Sequence, residues 1–344
     1  MKKISLLVII FQILILSNSY AVKDAVGSSA GEFSKVGGAG SQFLKIGVGA
    51  RATSMAGAYC SVVDDLSSIH WNPAGLSNIK KMAAEFSYNR WFSTYSHNFG
   101  AIAMPVGPDF TAALSVVSLN SGDIPITTIE RPFGTGANYQ IRDLSLNLSF
   151  SGYLTDQFAF GITAKYINNA FASLSSSNIA FDIGTLFDTQ FLGIKLGFSI
   201  HNLGGTQSYT GSDLLSSKKL WDAMNSTPLD VNYNSYAYGL PLIFRAGISS
   251  KVYQDEENSV LGALDFVTHS DVPEQFSLGA EYVWNDLISF RAGYIIGQDQ
   301  LGLAGGFGIK YDGGVFGGKI DYSINNTKNL GLINRITIGL NFGE

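Results

Sequence analysis

Leu144-Ser145-Leu146-Asn147-Leu148-Ser149-Phe150-Ser151 carries an apolar side chain at every second position and a small polar one between each pair. The same alternation returns in the segments 276–282 and 336–342. Because successive side chains of a β-strand point to opposite faces, this period of two predicts strands with one apolar and one polar face. The pattern dominates the chain from about Met82 to the C-terminal end, so the predicted fold class is all-β.

Counting these alternating segments predicts about fourteen strands, an even number, as in bacterial single-chain barrels. We place them at 83–90, 97–105, 110–119, 140–152, 158–170, 177–188, 192–202, 242–252, 259–268, 275–283, 288–296, 303–311, 316–325 and 334–342. The links after even-numbered strands are short, and the two longest links, 120–139 and 203–241, both follow odd-numbered strands. Outer-membrane barrels have short periplasmic turns and long extracellular loops, so the first strand should run outward.

Almost all charged residues of the strands fall on the polar phase, and Arg142, which breaks it, lies at a strand end. Those on the polar phase are Glu85, Lys165, Asp182, Lys195, His201, Arg245, Asp265, Glu281, Arg291, Lys310, Lys319 and Asp321. A basic residue facing lipid near the midplane costs about 2–4 kcal/mol, so this phase should face a wet lumen. Only 14% of all residues are charged, against about 25% in soluble domains. The net charge of −5 gives no basic footprint for nucleic acid.

The N-terminus predicts export. Lys2 and Lys3 precede a short apolar run, and small residues follow at Ser19 and Ala21, which is typical of a signal peptide at 1–21 with Val22 as the mature start. No later run of about 20 apolar residues is available for a spanning helix. We therefore predict a transmembrane antiparallel up-and-down β-barrel over 81–344, in contact with the lipid of the bacterial outer membrane.

Residues 22–80 form the predicted N-terminal segment and helical plug, because 33–80 do not alternate. The small-residue stretch 49–59 predicts a short helix, and Asn72 before Pro73 is a good helix start. This segment is interpreted as a plug or a periplasmic lid. Asp64 and Asp65 are candidates to hold a cation with Glu85, although adjacent carboxylates more often cap a turn and face water. The Asn72-Pro73-Ala74 turn either gates a ligand path or seats the plug.

Several spaced motifs of this segment resemble a known family. They are Gly49-Ala50-Arg51-Ala52, Met55, Gly57-Ala58, Asp64-Asp65 and Trp71-Asn72-Pro73-Ala74-Gly75-Leu76. Together they resemble the N-terminal signature of the PorV/PorQ family. The resemblance implies a fourteen-stranded barrel like the FadL fatty-acid transporters, which carry a similar Asn-Pro-Ala element. It also implies a role in type IX protein secretion, with translocon subunits and C-terminal domains of exported cargo as partners, and no enzymatic activity. The plug-motif residues, in a structural or gating role, are then Arg51, Asp64, Asp65, Asn72, Pro73 and Ala74.

Two functions follow as hypotheses. The first is an accessory barrel of type IX secretion, which binds cargo or partner subunits at the cell surface. Apolar residues over 212–225 suggest an amphipathic helix in an extracellular loop, and Leu220, Trp221 and Met224 are the candidate partner-docking residues. The alternative is a FadL-like transporter for hydrophobic small molecules.

The transport hypothesis requires an apolar pocket near the plug and a kinked strand. Gly305 and Gly306 either supply such a kink or mark a tight wall. The four histidines are scattered, no serine motif accompanies them, and Cys60 is alone, so the sequence predicts no catalytic, cofactor-binding or metal-binding residues.

Overall fold

A computed structural model describes residues 38–219, 221, 227–313 and 316–343. The predicted signal peptide, its cleavage before Val22, and the candidate docking residues Leu220 and Met224 lie outside the described residues. In the described part of the chain, no helix is both long and apolar enough to cross a membrane.

Fourteen antiparallel strands form one closed barrel, which confirms the predicted fold class. The strands are β1 Met82–Arg90, β2 Ser96–Pro105, β3 Phe110–Asn120, β4 Ile141–Thr155, β5 Phe158–Phe171, β6 Leu174–Asp188, β7 Ile194–Gly204, β8 Ile243–Gln254, β9 Asn258–His269, β10 Gln275–Trp284, β11 Ile288–Ile296, β12 Leu301–Asp312, β13 Phe316–Thr327 and β14 Gly331–Phe342. Each strand pairs with its neighbours in sequence, and β1 pairs with β14 from Met82↔Phe342 to Arg90↔Asn334, so that no sheet edge remains. The short links lie at one end of the barrel, here called the base, and the long loops lie at the other, here called the mouth.

Each strand buries alternate side chains. In β4, Leu146 and Leu148 are exposed on the outer face, whereas Ser145, Asn147 and Ser149 are buried in the lumen. The predicted inward phase is confirmed by the buried charged and histidine residues, namely Glu85, Lys165, Asp182, His201, Arg245, Asp265, Glu281, Arg291 and Asp321. An apolar outer face and a polar, charged lumen are the two surfaces that a barrel in lipid requires.

The loop between β7 and β8 differs from its prediction. Instead of a helix over 212–225, a 3-10 turn at Ser212–Leu214 is followed by a hairpin of Leu215–Lys218 with Leu229–Asn232. The helix prediction is therefore wrong for its described part, because cross-strand pairing satisfies the backbone and the turn closes on Tyr233, whose N–H donates to the Leu214 carbonyl at 2.8 Å. A second small hairpin, Ile124–Pro125 with Asn138–Tyr139, extends the loop after β3.

The segment before β1 runs down through the lumen from mouth to base and is called the plug below. It contains a 3-10 turn at Gln42–Lys45, helix α1 at Ala50–Ser54, helix α2 at Ser68–Trp71 and a 3-10 helix at Pro73–Asn78. At the mouth, Gly40 N–H donates to the Gly239 carbonyl at 2.9 Å. At the base, Thr111 Oγ1 donates to the Ile79 carbonyl at 3.1 Å.

Candidate functional site

Arg51 joins the plug to the barrel wall. Its Nε and Nη2 donate to Oε1 and Oε2 of Glu281 at 2.8 and 2.7 Å, a bidentate pair that fixes direction as well as distance. Glu281 also accepts from Arg291 Nε at 2.6 Å. Arg51 contacts the Asp64 carboxylate and lies 5.5 Å from the centre of the Tyr59 ring. One end of α1 is thus held by a network of charges that spans plug and wall.

Asp65 and Glu85 share one lysine. Nζ of Lys319 lies 2.7 Å from Asp65 Oδ2 and 3.1 Å from Glu85 Oε2. Asp65 also accepts from Ser67 N–H, so it caps a turn as expected, but it is buried and does not face water, because the lysine ammonium supplies its counter-charge. Burial alone would raise the pKa of the Asp65 carboxyl, but the charges of Lys319 and Arg51 outweigh burial and hold that pKa well below its usual range.

The three carboxylates of the predicted cation site all have partners within the protein. The carboxylates of Asp64, Asp65 and Glu85 are matched by Arg51 and Lys319 of the protein itself. Within the described ranges, no group of three histidine, cysteine, aspartate or glutamate side chains is placed to hold a metal ion.

Asn72 connects the lower half of the plug to the barrel wall by hydrogen bonds. Its Nδ2 donates to the carbonyls of Cys60 and Thr185, both at 2.9 Å, and its Oδ1 accepts from Ala74 N–H at 3.1 Å. The 3-10 helix begins at Pro73, which has no N–H to leave unsatisfied. Asn72-Pro73-Ala74 therefore joins two plug segments to β6.

Inward-facing glycines let the plug approach the wall. A Cβ added at Gly161 would lie 2.3 Å from the Pro73 carbonyl carbon, and one at Gly293 would lie 2.3 Å from that of Met55. At Gly306 it would lie 2.6 Å from Ser54 Cβ, so this glycine marks a tight wall. The register shift in β12 lies instead between Leu301 and Ala304.

A cavity of about 580 Å³ lies in the lumen between the plug and the mouth. Its lining includes Trp71 and Gly57 of the plug and the turn between β1 and β2, which contributes Trp91, Phe92 and Tyr95. The loops after β9 and β11 line it too, through Val272, Pro273 and residues 297–300. This is an apolar, aromatic-rich pocket of the size that small-molecule sites have.

Two buried arginines also line the cavity. The guanidinium carbon of Arg245 lies 4.7 Å from the centre of the Trp71 ring, a cation–π contact. Arg335, on β14, is only 2% exposed, and its Nε and Nη1 have no hydrogen-bond partner in the described structure. The cavity therefore combines aromatic surface with buried positive charge.

A second depression, of about 900 Å³, lies over β1 to β5 and is lined by outward-facing side chains such as Phe86, Ile102 and Leu148. Small outward residues at Ala84, Gly100 and Ala164 produce it. Because these side chains belong to the apolar outer face, this groove faces the surroundings of the barrel and is separate from the lumen.

The plug-motif residues Arg51, Asp64, Asp65, Asn72, Pro73 and Ala74 all lie at contacts within the plug or between plug and wall. Trp221 lies apart from them in the loop between β7 and β8 and is 73% exposed. Sequence reasoning missed Arg335, Asn89 and His97 as lumen residues. Arg335 shares the phase of Thr337 and Gly339, so the period of two could have placed it inward.

Solved barrels show the same fold. The Ralstonia pickettii toluene transporter TbuX is 13% identical over 87% of this chain and 99% of that chain, with a TM-score of 0.55. The P. putida toluene transporter TodX is 12% identical over 87% and 99%, with a TM-score of 0.57. The monoaromatic hydrocarbon channel CymD is 12% identical over 87% and 98%, with a TM-score of 0.59. At such identities the likeness shows a FadL-like barrel fold and nothing finer. No protein-family model and no curated protein matches the sequence, so the PorV/PorQ resemblance is not confirmed.

Proposed function

We propose that this chain is an outer-membrane barrel that takes up hydrophobic small molecules through the cavity at its mouth. The observation that carries the proposal is this aromatic-lined cavity, open toward the long loops and floored by a plug that is fixed to the wall. The closed barrel with an apolar outer face supports the membrane location, because only such a surface is compatible with lipid. The toluene transporters and hydrocarbon channel that share the fold support the substrate class.

The plug controls passage beyond the cavity. Arg51 and Lys319 hold it to the wall by ion pairs, and Asn72 fixes its lower half. Onward movement of a ligand that rests above the plug therefore requires a change in the plug or in the wall beside it. A ligand stays in the cavity until the plug moves only if its transfer from water into the cavity is favourable in free energy. Apolar molecules meet this condition.

A pair of neighbouring residues tests this role. Ile295 lines the cavity, whereas Ile296, the next residue of β11, is 49% exposed on the outer face. In cells that depend on this protein for uptake of labelled toluene, we expect Ile295→Trp to fill the cavity and reduce uptake severalfold. Ile296→Trp, the same change on the opposite face, should leave uptake unchanged. Equal uptake by both variants and by cells without the protein would refute the proposed function.

The second candidate is surface docking of a secretion partner, which the similar structures do not support. What favours it is the loop surface at the mouth, where Trp221 is 73% exposed, Ile129 97% and Phe133 100%. Exposed aromatic residues are enriched at protein interfaces. Affinity purification of the tagged protein from solubilised outer membranes tests it. Recovery of translocon subunits or cargo C-terminal domains, lost in a Phe133→Ser variant, would favour docking, and their absence would remove it.

A further inference from the structure

Arg335, which lines the mouth cavity, belongs to a cluster of buried polar side chains that the plug does not use. Asn89 on β1 lies directly opposite Arg335 on β14 and directly opposite His97 on β2. All three side chains are 1–2% exposed. Five of their atoms have no hydrogen-bond partner in the described structure, namely Asn89 Nδ2 and Oδ1, His97 Nε2, and Arg335 Nε and Nη1.

This arrangement is costly for folding alone. A buried guanidinium without a counter-charge is strongly unfavourable, and buried polar groups in folded proteins nearly always have partners. Other buried guanidinium groups of this lumen have a compensating contact: Arg51 and Arg291 both bind Glu281. Arg245, although its Nε is also unpartnered, lies over the Trp71 ring. Asp321, on the strand next to Arg335, is already held by Arg291 Nη1 at 2.6 Å. In the described structure, Arg335 has neither an ion pair nor an aromatic ring over its guanidinium.

Its chemistry fits a carboxylate. A guanidinium presents a planar fork that matches the two oxygens of a carboxylate, and the neighbouring amide and imidazole offer further hydrogen bonds. Arg335 itself lines the cavity. Trp91 also lines it and lies only two residues beyond Asn89, about 7 Å along an extended chain. An anionic group at Arg335 would thus have aromatic surface in the same cavity.

We propose that Arg335, with Asn89 and His97 beside it, binds the carboxylate of a small aromatic acid whose ring lies in the mouth cavity. This deepens the proposed function, on which it rests for the cavity being the ligand site. The bound acid supplies the counter-charge that the barrel lacks at this position, and the aromatic side chains bury its ring. The site then distinguishes an aromatic acid from a neutral hydrocarbon of the same size.

Three probes separate the parts of this recognition. Benzoate carries both ring and charge, benzamide has nearly the same shape without the charge, and acetate has the carboxylate without the ring. Binding to the purified, detergent-solubilised full barrel is measured by titration calorimetry, with empty micelles as the blank. We expect benzoate to bind at least tenfold more tightly than benzamide or acetate, as one charge-assisted, bidentate contact implies.

The variant Arg335→Leu removes the guanidinium. We expect it to weaken benzoate binding by about ten- to a hundredfold and to leave benzamide binding unchanged. Arg142→Leu, which removes an exposed guanidinium at the start of β4, is the matched control and should bind benzoate like the wild type. The heat-dependent mobility of each barrel on a gel confirms folding, and Arg335→Leu should be at least as stable as the wild type, because it removes an uncompensated buried charge.

The outcomes are distinct. A folded Arg335→Leu barrel that binds benzoate as the wild type does, or a wild type that binds benzamide as tightly as benzoate, would overturn the proposal. Benzoate binding without any toluene uptake would refute the proposed function and leave this inference standing. Toluene uptake without a preference for benzoate over benzamide would overturn this inference and leave the proposed function standing.

Discussion

Lys319→Met should release the plug without opening the barrel wall. Lys319 is the shared partner of Asp65 and Glu85, at 2.7 and 3.1 Å, and both carboxylates are buried. Removing one partner of a buried ion pair costs about 3–5 kcal/mol, because the other charge stays uncompensated. Here two carboxylates lose their partner. At 1.36 kcal/mol per tenfold change, the population of the unseated plug should rise roughly 150- to 5,000-fold.

The lone cysteine gives a direct readout. Cys60 lies on the plug, is fully buried, and contacts Asn72 and Ser199 through its sulfur. A thiol reagent reaches it only when the plug leaves the wall, so its labelling rate in the folded barrel follows the population of the unseated state. We expect Lys319→Met to raise that rate by the factor above, while the barrel keeps its heat-resistant gel mobility.

Lys310→Met is the matched control. Lys310 lies directly opposite Lys319 in the register of β12 and β13, but it is exposed and has no ion pair in the described part of the chain. Its removal should leave Cys60 labelling unchanged. If Lys319→Met labels Cys60 no faster than Lys310→Met, the ion pairs do not hold the plug and this reasoning fails.

Two further predictions use the same labelling assay. Gly161→Ala should destabilise the seated plug by at least about 2 kcal/mol, because its Cβ would lie 2.3 Å from the Pro73 carbonyl carbon. Gly262→Ala on the outer face, where the nearest atom is 3.6 Å away, should have no effect. Equal labelling of the two variants would contradict the close packing of plug and wall. The ion pair of Asp65 with Lys319 should also weaken in acid. Because the pKa of Asp65 is depressed in the folded protein, the stability that this pair gives to the seated plug is complete above the unperturbed value of about 3.9. It is lost as the pH falls below that value. With a dithiodipyridine reagent, which reacts in acid, labelling should rise as the pH falls below about 4, whereas labelling that does not rise down to about pH 2 would show that Asp65 does not hold the plug.

The barrel could be predicted from sequence because lipid imposes a strict rule on it. Alternate residues such as Leu146 and Asn147 must face opposite solvents, and the period of two therefore marks the strands. The start of β6 escaped prediction because Leu174–Ser177 is nearly all serine, and its strand conformation comes from pairing with β5 across a turn at Ala172, where φ is 51°.

The candidate site was less accessible to prediction. Asn72 and Pro73 predicted a helix start, and the 3-10 helix begins there. The hydrogen bond from Asn72 to Thr185, however, depends on barrel closure. Arg335 and His97 come together only because β14 and β2 both pair with β1. In β2 both faces carry apolar residues, Phe99 inward and Ile102 outward, so the phase that holds His97 gives no signal by itself. The loop hairpin that begins at Leu215 was missed because its spacing also fits a helix.

The central claim is that an apolar molecule occupies the lumen cavity between the plug and the mouth. Crystals of the intact barrel grown with bromobenzene, measured at the bromine absorption edge, test it most directly. The account predicts an anomalous peak inside the cavity, between Trp71 and the turn at Trp91. A bromine peak found only in the groove on the outer face, over β1 to β5, would contradict it.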